Sequence, residues 1–228
     1  MNLLVALAFS LAPAAGAADS GLMSAPAEAV SRFKAARPAL PARALAVPLH
    51  QQETDYSCGA ASLWSVLRYW GAFDGKEREL YAPLKTTRKD GTEPPRIAEV
   101  ARRFGLEAEL RKGMSVSDLR AALDRGQTVI VDLQAWREGK TAKTAWKDDW
   151  EDGHYVVLIA LDDRHAFFED PVLNDSYAYM PVDELQVRWH DFEDRHGRTQ
   201  RYWQAGIVIA GKTPRPAPPP AKRPARLD

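Results

Sequence analysis

The sequence predicts an α+β fold in which helices come first and an antiparallel sheet follows. Three segments between residues 58 and 126 carry apolar residues at helical spacing, and each of them ends at a glycine. Beyond residue 126 come five short runs rich in β-branched and aromatic residues, which is the composition of strands. Because the helical patterns precede the strand patterns, the layout is that of an α+β protein.

Each of the three predicted helices has a start signal. Ser57 is a candidate cap for the first, Pro95 opens the second, and Ser115 with Asp118 forms a capping pattern for the third. One apolar stripe on each helix is expected to face the core. The predicted helices span residues 58–71, 95–105 and 115–126, and the first begins at Cys58 or Gly59.

The predicted strands are joined by at least one hairpin. They cover residues 128–134, 154–161, 165–170, 176–180 and 205–211. Asp162 and Asp163 lie between the second and third of these runs and favour a tight turn. We therefore expect those two strands to pair antiparallel, with the start of one beside the end of the other.

The two ends of the chain differ from the middle in composition. Residues 1–18 have the apolar block and small residues of a secretory signal peptide, so we expect a periplasmic or secreted protein. Residues 19–46, rich in Ala and Pro, predict a linker or a loosely docked arm. Residues 212–228 alternate Pro with basic residues and predict a disordered tail. Between these ends we expect one domain, over residues 47–211.

Composition excludes several classes of partner. Lysine plus arginine and aspartate plus glutamate number 31 each, so the net charge gives no reason to expect nucleic acid or an anionic membrane as a partner. No later segment approaches the ~20 apolar residues of a membrane-spanning helix. The acids near residue 150 do not follow the spacing of a calcium loop. We predict no metal, no cofactor and a monomer.

The single cysteine lies at the predicted start of the first helix. In an exported protein Cys58 is inert and buried, paired with another molecule, or a working thiol, and the count of one does not choose among these. The unpaired N–H groups of a helix start stabilise a thiolate and can face a developing oxyanion. The small residues that follow, beginning with Gly59, would let a substrate backbone approach.

His154 is the best candidate for the base that such a thiol requires. It opens the most apolar predicted strand, whereas His190 and His196 lie in the charged segment "RWHDFEDRHGR", which we interpret as a solvated face. The predicted hairpin brings the end of the next strand, at Asp170, beside His154. That arrangement favours a base and a carboxylate that orients it.

Two loops could complete a site around these residues. Gln52, six positions before Cys58, can fold back as an oxyanion donor, with Gln51 as a competing choice. The segment from Trp136 to His154 carries three tryptophans and several acids, and is either a surface loop or a wall over the cleft. In the second interpretation its acids favour a cationic substrate. The substrate-binding candidates are Gly59, Trp150, Asp152 and Gly153.

The motifs around these residues resemble those of a known family. "QETDYSCGAASLWSVLRYWG", "GHYVVLIAL" and "FFEDP" resemble the cysteine, histidine and aspartate motifs of the bacteriocin-processing, double-glycine peptidases, cysteine peptidase family 39 of the papain-like clan. The resemblance implies Cys58 as the nucleophile and His154 as general base and later acid. It also implies Asp170 as the residue that orients His154, and Gln52 as the oxyanion donor.

The resemblance covers roughly residues 48–211 and implies a papain-like fold, in which a helical half presents the cysteine and a sheet presents the histidine and aspartate across a cleft. We expect an exported thiol peptidase that cleaves an extracytoplasmic protein or peptide through an acyl-enzyme. Two alternatives stay open. One is an acyltransferase or cell-wall amidase with the same triad, and the other is a silent peptide-binding module of the same fold.

Overall fold

The structure, a computed structural model, describes residues 37–136, 145–195 and 198–227. The predicted signal peptide and residues 19–36 of the predicted arm lie outside these ranges. So do residues 137–144 of the predicted loop before His154.

The three predicted helices are confirmed, and the described residues form two further α-helices. The capping pattern at Ser115 is formed, since its hydroxyl accepts from the Asp118 N–H at 3.2 Å. Of the helices that the structure describes, none is long and apolar enough to cross a membrane. Their bounds are α1 Cys58–Tyr69, α2 Tyr81–Leu84, α3 Pro94–Arg103, α4 Val116–Asp124 and α5 Val182–Arg188.

The described strands form two sheets. Their bounds are β1 Glu107–Arg111, β2 Thr128–Gln134, β3 Gly153–Leu161, β4 His165–Glu169, β5 Ala178–Pro181, β6 His190–Arg195, β7 Arg198–Trp203, β8 Gly206–Ala210 and β9 Ala225–Arg226. Seven of them form one sheet in the order β1-β8-β2-β3-β4-β5-β9, antiparallel throughout except for the parallel pair β5 and β9. The predicted hairpin is the pair β3 and β4, while β6 and β7 form a separate ribbon.

The large sheet buries apolar side chains on both of its faces. Neighbouring residues of β2 point to opposite sides, so Ile130 joins the cluster that contains Leu63 of α1, and Val131 joins the cluster that contains Leu119 of α4. Each fully buried side chain of this kind contributes about 1.5–3 kcal/mol. The packing fixes α1 against β3 and so determines where the first residue of α1 lies.

The C-terminal segment packs on the domain, which corrects the prediction of a disordered tail over 212–228. β9 adds to the edge of the sheet, and Leu227 is buried. The Ala217 N–H donates to the Ala46 carbonyl oxygen at 2.8 Å, so the described end of the predicted arm is part of the same contact. A composition of Pro and basic residues favours an extended chain, but an extended chain is also what an edge strand can bind.

The segment around His190 is a β-ribbon rather than the solvated face that its charges indicate. Trp189 and His190 are buried. Because side chains alternate along a strand, Asp191 and Glu193 share one face of β6 while Phe192 lies on the other and is exposed. The pairing of β6 with β7 determines this arrangement, and no local apolar pattern in the sequence predicts it.

Candidate active site

The thiol of Cys58 lies at the N-terminus of α1. Cys58 is the first residue of the helix and its side chain is half-buried. Ser57 holds the cap position but does not cap, because its hydroxyl donates to the Thr54 carbonyl oxygen at 3.2 Å and accepts from the Thr54 N–H at 3.1 Å. The first turn of α1 therefore points uncapped N–H groups, and the positive end of the helix dipole, toward the sulfur.

His154 and Asp170 meet as the predicted hairpin requires. The antiparallel pairing of β3 with β4 brings the two residues together, and the distance from His154 Nε2 to Asp170 Oδ1 is 2.9 Å. Both side chains are buried. Asp170 Oδ1 also accepts from the Val172 N–H at 3.0 Å, which fixes the carboxylate relative to the chain that follows it.

The surroundings of His154 raise the pKa of its ring to about 10. Burial acts in the opposite direction, because it disfavours the charged form. The charge and hydrogen bond of Asp170, together with a hydrogen bond to Cys58, outweigh burial. Since Nε2 contacts Asp170, Nδ1 is the ring nitrogen that remains for Cys58. A ring that stays protonated at neutral pH stabilises the thiolate form of a neighbouring sulfur.

Trp136 covers His154, a contact that sequence reasoning missed. The two rings lie 4.4 Å apart between centroids. Trp136 has a φ of 46°, in the left-handed region that non-glycine residues rarely adopt. A tryptophan directly after an apolar strand and before a charged loop is the signal that could have identified it. The indole shields the contact between His154 and Asp170 from water on this side.

The predicted oxyanion donor lies on the loop before α1, close to the end of β4. The Gln52 N–H donates to the Pro171 carbonyl oxygen at 2.8 Å, so the loop is tied next to Asp170. The side-chain amide donates to the Thr54 carbonyl oxygen at 2.6 Å. Gln51, the competing choice, is exposed. The position of Gln52 makes it a better candidate for the oxyanion donor than Gln51. Its side-chain amide must turn away from the Thr54 carbonyl before it can donate to an oxyanion.

A buried glutamate holds this loop in place. Glu77 accepts from the Glu53 N–H at 3.0 Å and from the Tyr81 hydroxyl at 2.7 Å, and it lies 2.8 Å from His50 Nε2. Burial alone would raise the pKa of Glu77, but these hydrogen bonds and one from Ser57 lower it on balance. The carboxylate therefore stays ionised and fully bonded beneath the start of α1.

The predicted substrate-binding residues differ in burial and in what they contact. Gly59 is buried, and a Cβ there would lie 2.8 Å from Thr92 Cβ and 3.1 Å from the Tyr155 ring, so its small size serves packing rather than substrate approach. Gly153 is exposed at the start of β3. Asp152 is half-buried, and its N–H donates to Gln134 Oε1 at 3.0 Å.

Trp150 belongs to an aromatic cluster on the outer face of the β6–β7 ribbon. Its ring lies 4.4 Å from that of His190 and 4.9 Å from that of Trp203, and the Arg201 guanidinium lies 4.9 Å from its centre. His190 is buried, which lowers its pKa. Trp203 is 48% exposed, so the cluster presents an aromatic surface to solvent. These contacts do not include Cys58 or the residues paired with it.

The described residues contain no group of three or more His, Cys, Asp or Glu side chains that could hold a metal ion. The candidate reactive groups of the site are a thiol, an imidazole and carboxylates.

The fold and the comparisons define the class and the family. A helical half that carries Cys58, and an antiparallel sheet that carries His154 and Asp170, make this a papain-like α+β protein. The Peptidase_C39 like family matches residues 44–202, and the chain belongs to that family. Membership and fold together support a peptidase function.

Individual relatives are similar over most of their length. An uncharacterized protein of Methanothermobacter marburgensis is 33% identical over 123 residues, which are 54% of this chain and 70% of the relative. Among solved structures, a Bacillus anthracis protein assigned as a C39-like peptidase is 17% identical with a TM-score of 0.55, over 75% of this chain and 98% of that one. The peptidase domain of Streptococcus ComA, a bifunctional ABC transporter, is 22% identical with a TM-score of 0.52, over 73% and 99%.

Proposed function

We propose that this protein is a cysteine peptidase whose nucleophile is Cys58. The observation that carries the proposal is the position of His154, which is buried and lies 2.9 Å from Asp170 through Nε2, and whose pKa is raised by Asp170 and by the nearby Cys58. A histidine in such a position can hold the proton of the thiol while the carboxylate stabilises the resulting cation. The proposed substrate is a peptide or protein.

The reaction would proceed in two halves. Cys58, held as the thiolate beside protonated His154, attacks the scissile carbonyl to form a tetrahedral oxyanion. The first-turn N–H groups of α1 and the turned amide of Gln52 would stabilise that oxyanion. His154 then gives its proton to the leaving amine, which leaves an acyl-enzyme on the sulfur. Water, deprotonated by the now neutral His154, hydrolyses the thioester and restores the thiolate and the protonated ring.

The proposed place of action is outside the cytoplasm. The support for it is the apolar block and the Ala15 and Ala17 spacing at the start of the chain, which are typical of a secretory signal peptide. The substrate would then be an extracytoplasmic protein or peptide. N-terminal sequencing of the protein recovered from a periplasmic or secreted fraction tests this, and a start at Met1 would contradict it.

Alkylation of Cys58 tests the chemistry before any substrate is known. Because the chain has one cysteine, labelling by iodoacetamide near neutral pH reports on Cys58 alone. We expect fast labelling that slows at least about tenfold in His154→Ala, because the protonated ring stabilises the thiolate. The matched control is His165→Ala, which removes a half-exposed histidine 3.5 Å from Asp162. A rate equal to that of free cysteine would overturn the proposal.

Peptide hydrolysis decides between turnover and binding. The wild type, incubated with unstructured peptide pools and followed by mass spectrometry, is expected to generate new N-termini that Cys58→Ala does not generate. Acyl transfer to added amines without hydrolysis would identify an acyltransferase instead. Retention of peptides without any new product would identify a binding module.

A further inference from the structure

Two carboxyl groups meet near the start of α1, outside the contact of His154 with Asp170. Asp132 is on β2, where it pairs with Tyr155 of β3, whose ring lies against Gly59 in the first turn of α1. Asp191 comes from the β6–β7 ribbon and is hydrogen-bonded to Asp132. Two elements that the chain separates by more than fifty residues therefore bring two acids together near the first turn of α1.

The bonding of this pair is incomplete. Asp132 is buried, and its Oδ1 has no hydrogen-bond partner in the part of the chain that the structure describes. No lysine or arginine of the described ranges forms an ion pair with Asp132 or Asp191. Burial raises the pKa of Asp191 to about 6, and burial together with the charge of Asp191 raises that of Asp132. Burial therefore favours the protonated form of Asp132, and the negative charge of the pair at neutral pH lies on Asp191.

Asp191 of the pair lies against Gly153, at the start of β3. Asp132 is buried, whereas Asp191 is half-buried and its carboxylate packs against Gly153. A Cβ at residue 153 would collide with that carboxylate, and the glycine itself is exposed. The carboxylate therefore occupies the space of the missing side chain, against the residue that precedes His154 in the chain. Glu193, on the same face of β6, adds negative charge.

We propose that Asp132 and Asp191 form a subsite for a positively charged group of the substrate, such as a lysine or arginine side chain, beside the scissile bond. The proposal rests on the proposed peptidase function. A bound cation would supply the countercharge that no lysine or arginine of the described residues gives Asp191. These acids differ from those of the loop before His154, to which the sequence pattern alone would assign a cationic substrate.

Charged thiol reagents test the subsite without requiring a peptidase. Trimethylammonium-ethyl methanethiosulfonate and sulfonatoethyl methanethiosulfonate each form a mixed disulfide with a thiolate and release methanesulfinate, and they differ in charge. We expect the ratio of cationic to anionic modification rates at Cys58 to fall about tenfold in Asp191→Asn, equivalent to about 1.4 kcal/mol. An equal ratio in wild type and variant would overturn the subsite.

The matched control is Asp194→Asn on the same strand. Asp194 is exposed on the opposite face of β6, where its Oδ1 accepts from the Thr199 hydroxyl at 2.6 Å. Asp194→Asn removes the same charge, but from a position where solvent and salt screen its interaction with Cys58. A fall in the ratio as large as that of Asp191→Asn would contradict a local subsite. If Asp191→Asn does not fold, as judged by circular dichroism, Asp191→Ser takes its place with the same expected result, because it removes the same charge.

Peptide substrates test selection itself. Fluorogenic tripeptide amides carry lysine or norleucine at each of the two positions before the scissile amide. We expect wild type to prefer lysine at one of them, and the ratio of kcat/KM values to fall about tenfold in Asp191→Asn. Cleavage without any preference would overturn the subsite and leave the peptidase proposal standing. If nothing is cleaved, the peptidase proposal fails, and the reagent ratio still decides whether the acids attract a cation.

Discussion

Two histidine–carboxylate pairs in this protein have nearly the same geometry. His50 Nε2 lies 2.8 Å from Glu77 Oε2, and His154 Nε2 lies 2.9 Å from Asp170 Oδ1. Each imidazole also lies against a tryptophan ring, at 4.0 Å for the first pair and 4.4 Å for the second. The contact between imidazole and carboxylate therefore does not by itself mark a catalytic residue.

The difference lies in what else each pair contacts. Glu77 accepts additional hydrogen bonds from the Glu53 N–H and the Tyr81 hydroxyl, so its charge is used to hold a loop. His154 has its second ring nitrogen left for Cys58. A histidine–carboxylate pair whose hydrogen bonds are all made within the fold stabilises structure. A pair whose histidine keeps one ring nitrogen for a neighbouring nucleophile can transfer a proton.

The largest expected effect is the loss of stability in Glu77→Ala. The change leaves several buried donors without an acceptor, and we expect the free energy of unfolding to fall by about 3 kcal/mol. Urea denaturation followed by circular dichroism measures it. Because the folded pKa of Glu77 is lowered, the contribution of its charge is present above its unfolded pKa and is lost as pH falls through the folded one.

Glu77→Gln is the matched control for the Glu77 variant. It keeps the shape and one acceptor oxygen, so it should lose less stability than Glu77→Ala. The difference between Glu77→Gln and the wild type should shrink at acid pH. Equal losses in both variants at every pH would mean that the carboxylate charge does not hold the loop.

The second effect concerns the pair formed by His154 and Asp170. Asp170→Asn removes the charge that opposes burial, so the pKa of His154 should fall by at least about one unit from its value of about 10. NMR of the ring protons across pH measures this. His190, whose pKa is lowered by burial, serves as the internal control in the same spectra. An unchanged His154 titration would show that Asp170 does not set its charge state.

The same pair gives a stability prediction with a defined sign. The folded pKa of His154 lies above its ordinary value of 6.5, so the stabilisation is complete below that value and is lost as pH rises toward about 10. Unfolding of the wild type should therefore become easier between neutral and alkaline pH. Asp170→Asn should show a weaker decline over that range.

The third effect is a gain in stability in Asp191→Asn. The folded pKa of Asp191 is raised from 3.8 to about 6. The free energy of unfolding of the wild type therefore falls as pH rises from 3.8 to about 6, and it does not recover at higher pH. The asparagine carries no such cost, and we expect the variant to be more stable by about 1 kcal/mol at neutral pH. The gain should vanish near pH 3.8. Asp194→Asn should show no gain, and an equal gain there would contradict a burial effect.

The smallest effect is expected for Gly153→Ala. The new Cβ forces the Asp191 carboxylate aside, with a stability loss of about 1 kcal/mol. The ratio of cationic to anionic modification at Cys58 should fall by a smaller factor than in Asp191→Asn. A ratio equal to that of the wild type would mean that Asp191 does not act through its position beside Gly153.

Sequence patterns predicted the helices and the hairpin because local signals specify them. The run from His154 to Leu161 has β-branched residues, and Asp162 and Asp163 mark the turn after it. Pairing then follows from strand geometry, which is why His154 and Asp170 could be matched without a structure. The ribbon around Asp191 carries no such pattern, and its charges indicated a solvated surface instead.

The carboxyl groups near Cys58 were missed for the same reason. Asp132 interrupts an otherwise apolar strand, and a buried charge in such a run is a signal of function that the sequence does carry. Its partner Asp191 comes from a distant part of the chain, and only packing brings the two together. The docked C-terminal segment is a second case, because Leu227 reaches its site only through the edge of β5.

The sequence by itself determined the helix that starts at Cys58, the strand that starts at His154 and the turn that returns to Asp170, since each depends on residues near it in the chain. Only the tertiary structure decided that the helix start faces the hairpin, that Trp136 covers the imidazole and that Asp191 stands behind Gly153. Those contacts join residues far apart in the chain, and burial across the sheet, which acts between elements rather than along them, is the force that selects them.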